Sequence, residues 1–386
     1  MKILFFELKN FGKEDVIDSL HNLGHEVLCI NSELIHMRNS HEFDLLFEES
    51  IASNAFDCVF TFNYSPIISN NCNKRNLKYI ALVYDSPLVT LYSYTIINPC
   101  NYVFTFDSAQ YLEFKKNGIH TIHYIPLAVN TNRLDKMQLS QDIIDKFSSD
   151  ISFVGSMYNE KHNLYDRLEN LKPYTRGFLD GIIAAQQKIY GYFFIENLLK
   201  GPILNDMISS LEYNTNYDGV ETQAYIYANY FIARKIAELE RKNLLASVSA
   251  QFDTKLYTPN STLDMPKIKN MGPVDYYDTM PYIFKCSKIN LNITLRSIRN
   301  GIPLRAMDIM GAGGFLLTNY QYDFLEYFIP GEDFNYYDSE EDLLSKSKFY
   351  LSHETERIQI LQNAHGKIKE FHSYEKRFQD IFNIVF

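Results

Sequence analysis

Residues 290–318 read NLNITLRSIRNGIPLRAMDIMGAGGFLLT, and this stretch is the most informative part of the chain about its fold. Its pattern predicts a strand, a loop, a short helix and a second strand, the unit from which parallel α/β sheets are built. Pro303 is predicted at the first helical position, where its missing N–H has no partner to lose. Gly311, Gly313 and Gly314 are predicted to end the helix, because glycine readily adopts the left-handed conformation that stops helices.

The start of this predicted helix has the features of an anion site. A helix N-terminus offers N–H groups without intrahelical acceptors and the positive end of the helix dipole. Arg305 lies in the first turn, and Asp308 follows three residues later on the same face. A phosphate contact beside a carboxylate that can bind sugar hydroxyls is what a nucleotide-sugar site requires. The alternative is an ordinary strand–helix connection in which Arg305 and Asp308 form a surface pair.

Composition limits the classes of protein that remain. The 386 residues are 46% hydrophobic and 22% charged, which fits a folded chain with room for two domains. A net charge of −10 without a long basic run disfavours nucleic acid as a partner. The five cysteines stand singly, so the sequence shows neither a zinc motif nor a simple disulfide framework. No apolar run is long enough for a transmembrane helix or a secretory signal, so we expect a cytoplasmic protein.

The first half of the chain alternates short apolar runs with helical patterns, as a parallel sheet covered by helices does. Polar clusters at 63–65, 85–87 and 107–108 each follow a predicted strand, and such ends share one rim of a parallel sheet. These clusters are expected to line a ligand site, to cap helices, or both. The strands are predicted at residues 2–6, 25–30, 57–62, 79–84, 102–106 and 121–124.

The second half resumes the alternation after a polar, helical stretch at 138–150 that we interpret as a linker. The run 173–250 lacks this rhythm and predicts helices at 178–190 and 222–245, whose apolar spacing is typical of core or of a partner seam. Two helices are predicted from about residue 354 to the end. Further strands are predicted at 151–154, 255–258, 288–293, 315–318 and 334–337, with a helix at 339–351.

The 290–318 segment resembles the C-terminal domain of GT-B glycosyltransferases, in particular the group related to the spore maturation protein CgeB. The N-terminal half resembles the DUF3880 domain that often precedes it. The resemblance implies an α/β GT-B fold, with two Rossmann-like domains facing across a cleft and a helical insertion in the C-terminal half. The implied domains are 1–147 on the acceptor side, 148–365 binding the nucleotide sugar, with the insertion at about 173–250, and 366–386 as a helix that crosses back to the N-terminal domain.

The resemblance also implies roles for individual residues. Asp308 takes the position of the acid that binds the nucleotide ribose, and Asn300 that of an acid beside the transferred sugar. Because an amide carries no charge, Asn300 departs from the retaining pattern of the related enzymes. The first loop of the C-terminal domain approaches the diphosphate, and a later loop meets the base. The implied donor-binding residues are Gly155, Ser156, Lys161, Val274, Tyr276, Arg296, Gly301, Ile302, Pro303, Arg305 and Asp308.

Asp85 is the first choice for a general base on the acceptor hydroxyl, and Asp107 is the second. Asp85, Asn300 and Arg305 are therefore the predicted catalytic groups. No Asp-x-Asp metal motif occurs in the chain, and the GT-B resemblance implies charge neutralisation by helix dipole, amides and cations. We accordingly expect no metal and no cofactor other than the nucleotide-sugar substrate.

Three functions remain open. The favoured one is a metal-independent glycosyltransferase of a bacterial cell that modifies a glycan, protein or other cell-surface acceptor. The second is a non-catalytic GT-B-like module that binds nucleotide or sugar, or that regulates a partner. An NAD-dependent Rossmann enzyme ranks last, because the loop at 6–15 holds Gly12 but no G-x-G-x-x-G pattern. The sequence leaves the donor base, the acceptor, the stereochemistry and the oligomeric state undetermined.

Overall fold

The computed structural model describes residues 1–7, 11–52, 54–160 and 163–386. The chain forms two compact units. The N-terminal unit comprises Met1–Asn130, Thr215–Glu221 and Phe371–Phe386, and the C-terminal unit comprises Thr131–Asn214 and Thr222–Glu370. The first division thus follows Asn130, whereas the sequence predicts it between residues 147 and 148.

The N-terminal unit is built on a six-stranded sheet of order β2-β1-β3-β4-β5-β6 with every pair parallel. The alternation of apolar runs predicted this sheet, and each predicted strand is confirmed with small shifts at its ends. The sheet is buried on both faces, as shown by β3, in which all five residues are buried. The strands are β1 (Lys2–Glu7), β2 (Glu26–Asn31), β3 (Cys58–Phe62), β4 (Lys78–Leu82), β5 (Asn101–Thr105) and β6 (Ile122–Tyr124).

Two apolar layers cover the faces of this sheet. On one face, Phe5, Phe60 and Phe62 meet edge to face with ring centroids 5.0 to 5.8 Å apart. On the other face, Phe6 stacks on Phe47. These aromatic pairs add to the burial that holds helices on the sheet. The helices of this part of the chain are α1 (Lys13–Asn22), α2 (His41–Ala52), α3 (Pro66–Arg75) and α4 (Ser108–Lys116), with 3₁₀ turns at Glu33–His36, Val89–Tyr92 and Tyr94–Ile97.

The C-terminal unit contains a second six-stranded parallel sheet, of order β12-β11-β10-β7-β8-β9. Its two central strands are buried along nearly their whole length, as expected of a sheet covered on both faces. The two-residue edge strand β9 was not predicted. The strands are β7 (Ser149–Val154), β8 (Thr254–Tyr257), β9 (Lys269–Asn270), β10 (Ser287–Asn292), β11 (Leu316–Asn319) and β12 (Asn335–Tyr337).

Helices fill the rest of the second unit, and the region predicted as a helical insertion is helical. The helix predicted at 222–245 is instead two α-helices joined through a π-helical stretch, Tyr227–Ile232, in which Tyr227 donates a hydrogen bond to the carbonyl of Leu211. The helices are α5 (Thr131–Asp135), α6 (Gln141–Phe147), α7 (Pro173–Gln187), α8 (Ile195–Leu198), α9 (Gly201–Ser210), α10 (Gln223–Ile226), α11 (Ala233–Ser249), α12 (Met280–Cys286), α13 (Leu304–Gly311), α14 (Phe324–Tyr327), α15 (Glu340–Ser352) and α16 (Glu354–Phe371).

The last helix, α17 (Tyr374–Val385), packs on α1 and on the sheet of the N-terminal unit. The backbone before it joins the same unit, because the amide of Val129 donates to the carbonyl of His372 over 3.1 Å. Across the described ranges of the chain, we find no helix that is both long and apolar enough to span a bilayer.

Gly314 stands where α13 turns into β11, and the backbone there leaves no room for a side chain. A Cβ atom at this position would lie 2.8 Å from both Asn290 Nδ2 and the carbonyl oxygen of Phe284. We therefore expect Gly314→Ala to lower the free energy of unfolding by about 1–3 kcal/mol through overpacking. Gly366→Ala is the matched control, since no atom lies within 4 Å of that added Cβ on α16.

Urea unfolding of both variants measures the difference. The control should be neutral or more stable by about 0.5–1 kcal/mol, because alanine favours a helix interior over glycine. Equal stability of Gly314→Ala and the wild type would contradict the close packing described for this junction.

His372 makes the stability of the fold depend on pH. The side chain is buried, and burial together with the nearby Arg377 guanidinium lowers its pKa from 6.5 to about 3. The unfolded chain therefore binds a proton below about pH 6.5 that the folded chain excludes, and stability falls as the pH drops. Asparagine can still accept from Arg377 and does not titrate in this range.

We expect the wild type to lose about 2 kcal/mol more than His372→Asn between about pH 7.5 and about pH 5. Urea unfolding at several pH values gives the difference between the two curves, in which the contributions of other titrating groups cancel. Parallel curves would show that His372 does not carry this dependence.

Candidate functional site

The N-terminus of α13 is open, in the sense that no N-cap side chain bonds to its first amides. Pro303 is the N-cap, one position earlier than predicted, and it supplies no side-chain hydrogen bond to the helix. Gly301 and Ile302 before it are buried, which fixes the entry of the chain into the helix. The amide of Ala306 already donates to the carbonyl of Pro303 over 3.0 Å, so the amides before it, in the first turn, are the ones this end can present with the positive dipole.

Arg305 lies in the first turn of this helix and reaches the end of a neighbouring strand. Its Nη1 donates to the carbonyl of Val154, the last residue of β7, over 3.1 Å. Its Nε is buried and has no hydrogen-bond partner among the residues that the structure describes. Burial lowers the pKa of Arg305, and the Asp308 carboxyl opposes this effect. The guanidinium is thus a cation held at the carboxyl edge of the sheet.

Asp308 lies one turn further along α13 and contacts a loop that precedes α12. The hydroxyl of Tyr276 donates to Asp308 Oδ1 over 3.0 Å, and both side chains are buried. Val274, in the same loop, is half-buried. The structure therefore brings together Tyr276 and Asp308, two residues that were predicted to bind the nucleoside, and Val274 precedes Tyr276 by two residues in the same loop.

The loop after β7 is closed by hydrogen bonds of its own. The amide of Gly155 donates to the carbonyl of Tyr257, and that of Met157 donates to Asn260 Oδ1. Ser156 Oγ lies 2.8 Å from Glu160 Oε1 and donates to it. The predicted contacts of Gly155 and Ser156 with a diphosphate stay predictions, and in this structure their donors serve the loop. Lys161, also predicted here, lies outside the described residues.

Arg296 occupies the interior of the C-terminal unit. Its Nε donates to Glu240 Oε2 over 2.8 Å, its Nη2 donates to Glu240 Oε1, and its guanidinium lies 3.6 Å from the ring centroid of Tyr190. Weaker contacts of its Nη atoms to carbonyls complete this environment. These contacts favour a role in holding α11 against the loop after β10, and the predicted donor contact of Arg296 stays a prediction.

The predicted catalytic carboxylate Asp85 lies at the rim of the N-terminal sheet. It is exposed and accepts a hydrogen bond from Asn63 Nδ2 over 2.7 Å. Asn63 adopts a left-handed conformation, φ 57°, and its Oδ1 accepts from the amides of Tyr84 and Asp85. Two of the predicted polar clusters therefore meet at one rim, as the sequence indicated.

Asp107 and Asn300 lie in different surroundings. Asp107 is fully buried, and its Oδ1 accepts from the amides of Ala109 and Gln110 at the start of α4. The structure thus makes it a helix N-cap, the alternative interpretation of that cluster, and its full burial disfavours it as the second choice for a base. Asn300 is half-buried in the loop before α13, and its carbonyl accepts from the amide of Asp323.

The sequence did not single out Arg241 of α11, which lies at the ends of two central strands. Its Nη1 donates to the carbonyl of Ser156 over 2.5 Å, and its Nη2 donates to that of Ile293 over 2.7 Å. The ring centroid of Tyr158 lies 4.6 Å from the guanidinium carbon. No motif marks this arginine, because its partners are backbone carbonyls far away in the sequence.

Comparisons with known proteins agree with this architecture. Residues 234–383, which include α13, match the model of a family described as glycosyl transferase-like. No curated protein matches the chain by sequence.

Solved structures of three other proteins are among those similar to the whole chain. The HepE protein of Anabaena, in complex with UDP and glucose, has a TM-score of 0.54 at 9% identity, covering 100% of this chain and 99% of its own. Sucrose-phosphate synthase of Thermosynechococcus elongatus has a TM-score of 0.56 at 9% identity, and the match covers 100% of this chain and 99% of the synthase. A glycosyltransferase of Rickettsia africae has a TM-score of 0.53 at 12% identity, and the match covers 100% of this chain and 97% of that protein. The chain has the GT-B glycosyltransferase fold.

Breaking the buried Glu240–Arg296 pair should destabilise the protein far more than breaking the half-exposed pair between Lys242 of the same helix and Asp264. Glu240→Gln keeps the volume but leaves the Arg296 charge unpaired, which we expect to cost about 3–5 kcal/mol. Asp264→Asn is the control, since the ion pair of Asp264 with Lys242 is half exposed and should contribute less than about 1 kcal/mol. Urea unfolding measures both, and similar losses would contradict the structural role given to Arg296.

Proposed function

We propose that the protein is a metal-independent glycosyltransferase that uses a nucleoside diphosphate sugar as donor. The observation that carries this proposal is the open N-terminus of α13 with the Arg305 guanidinium in its first turn and the Asp308–Tyr276 pair one turn later. Amides and a cation at one point of a parallel sheet suit a diphosphate, and a buried carboxylate beside them suits ribose hydroxyls. The loop of Val274 and Tyr276 would then meet the base.

Proteins of the same fold add support. The HepE structure is a complex with UDP and glucose, and the BGT protein of phage T4 has been solved in complex with its UDP-glucose substrate. The phage protein has a TM-score of 0.50 at 12% identity, covering 100% of this chain and 99% of its own. For this chain a uridine donor is the first one to test, and membership of the CgeB-like group is part of the proposal.

The proposed chemistry places the greatest demand on the leaving group. Breaking the anomeric C–O bond transfers negative charge to the diphosphate while the sugar becomes oxocarbenium-like. Amides and guanidinium groups fixed before the reaction stabilise that charge without reorganising, and removing one such donor typically costs about 10²–10³ in rate. Arg305 and the first amides of α13 are assigned this role. Asn300 is assigned a hydrogen bond to a hydroxyl of the transferred sugar.

Asp85 is the proposed general base for the acceptor, a glycan, protein or other cell-surface molecule. It is an exposed carboxylate at the end of a strand, and Asn63 holds its orientation. A base must come within hydrogen-bond distance of the acceptor hydroxyl, which requires this accessibility.

A non-catalytic module that binds nucleotide sugars is the second candidate. It is favoured by Asn300, which cannot provide charge at a position where related enzymes have an acid, and by the Ser156 hydroxyl, which donates to Glu160. Hydrolysis or transfer of a donor sugar above background by the purified protein would exclude it.

Arg305→Met and Asp308→Asn test the proposed donor site. Each change removes a charge from a contact expected to contribute about 1.5–3 kcal/mol, so nucleoside diphosphate affinity should fall by about 10–100-fold. Calorimetry with UDP, GDP and dTDP measures this affinity, with CMP as a monophosphate for comparison, and release of nucleotide from the donor sugar measures turnover. Lys288→Met is the control, because Lys288 is half exposed and pairs with Asp150.

Two results would count against the proposal. One is unchanged nucleotide affinity and turnover in both folded variants. The other is activity that disappears with EDTA and returns with manganese, since the site proposed above neutralises charge with protein groups alone.

A further inference from the structure

Arg241 joins two loops that belong to different strands of the C-terminal sheet. Its two Nη atoms donate to the carbonyls of Ser156, after β7, and Ile293, after β10. The planar fork of a guanidinium can make both bonds at once, whereas an ammonium cannot reproduce that geometry. Arg241 therefore fixes the spacing of two strand ends from a helix whose apolar spacing indicated core or a partner seam.

Arg241 and Arg305 contact the same short segment from two elements. Arg305 binds the carbonyl of Val154, and Arg241 binds that of Ser156, so the two guanidinium groups contact the carbonyls on either side of Gly155. A Cβ atom at Gly155 would lie 3.7 Å from Arg241 Nη1, which shows how closely the side chain covers this glycine. The two cations thus lie beside one another at the carboxyl edge of the sheet.

The charge of Arg241 has no carboxylate partner within the described ranges of the chain. Arg241 is buried, and its Nε has no hydrogen-bond partner there. The adjacent Glu240 gives both oxygens to Arg296. After burial, which is the main cause, Arg241 is one of the groups that lower the pKa of Arg305. Asp308 opposes the Arg305 charge from one turn away, and two adjacent guanidinium groups in a buried environment still favour a further anion nearby.

We propose that Arg241 is a positioning residue of the diphosphate site, holding the β7 and β10 loops in place and adding a second positive charge to that of Arg305. The inference rests on the proposed function, since the ligand is the diphosphate of the same donor. It assigns a role to α11, whose sequence is more typical of core. Arg241 acts through the loops it holds, and Arg305 is the group placed at the ligand.

The test compares Arg241→Met and Arg241→Lys with the wild type. Calorimetry measures binding of UDP, or of whichever nucleoside diphosphate the wild type binds best, and of inorganic pyrophosphate and the matching nucleoside. We expect Arg241→Met to weaken the diphosphates by about tenfold or more and to leave the nucleoside unchanged, because only the diphosphates carry the charge that Arg241 opposes. Lysine should restore part of the loss, since it keeps the charge but cannot bridge both carbonyls.

Lys242→Met is the matched control, because it removes a cation from the next residue of α11, where the side chain is half exposed. Thermal unfolding and nucleoside binding show that each variant is folded. Should the methionine variant fail to fold, the lysine variant decides, with an expected diphosphate affinity clearly below that of the wild type.

The outcomes separate this inference from the function on which it rests. A wild type that binds neither nucleoside diphosphates nor pyrophosphate overturns the proposed function. A wild type that binds them, with folded Arg241 variants of equal affinity, overturns the role of Arg241 alone. Equal losses for the nucleoside and the diphosphates also overturn it, because a general loss of packing would produce that pattern.

Discussion

Buried guanidinium groups that donate to backbone carbonyls hold the carboxyl edge of the second sheet together. Carbonyls at the ends of parallel strands no longer have a neighbouring strand as partner, and buried carbonyls need hydrogen bonds. Arg305 supplies one to Val154, and Arg241 supplies others to Ser156 and Ile293. The positions of α13, of the loop after β7 and of α11 all depend on these bonds.

Using guanidinium groups as donors also brings positive charge into the interior, and the surroundings of that charge differ from one arginine to the next. Arg296 is neutralised by Glu240 and lies over Tyr190, so its charge is satisfied inside the fold. Among the described residues, Arg241 and Arg305 donate to neutral carbonyls, and the Asp308 carboxylate lies one turn from Arg305 and opposes the effect of burial on its charge. Electrostatic preorganisation of this kind costs stability in the unliganded protein and lowers the energy of a bound anion. Arg296 thus differs from Arg241 and Arg305 in donating hydrogen bonds to a carboxylate.

Local rules predicted much of the fold because they depend on neighbours in sequence. The strands followed from apolar runs, and the limits of α13 from Pro303 and its glycines. Asp308 and Tyr276 were predicted for one site and lie in contact. The sequence could not show that Arg296 pairs with a carboxylate while Arg241 binds backbone carbonyls, since their partners lie on segments many residues away. The π-helical stretch Tyr227–Ile232 has no signal in the local sequence either. The hydrogen bond that accompanies it runs from Tyr227 to the carbonyl of Leu211, which lies on a different segment.

The two aspartates at the rim of the first sheet show why position after a strand is not sufficient to identify a base. Asp107 uses its carboxylate to cap α4, and its burial keeps a large acceptor away. Asp85 follows a strand in the same sheet, but it is exposed and accepts a hydrogen bond from the side-chain amide of Asn63. Capping needs a carboxylate turned toward its own helix, whereas proton transfer needs one turned toward substrate. Because a fully buried carboxylate cannot meet an acceptor hydroxyl directly, the exposed Asp85 fits the proposed base better than Asp107.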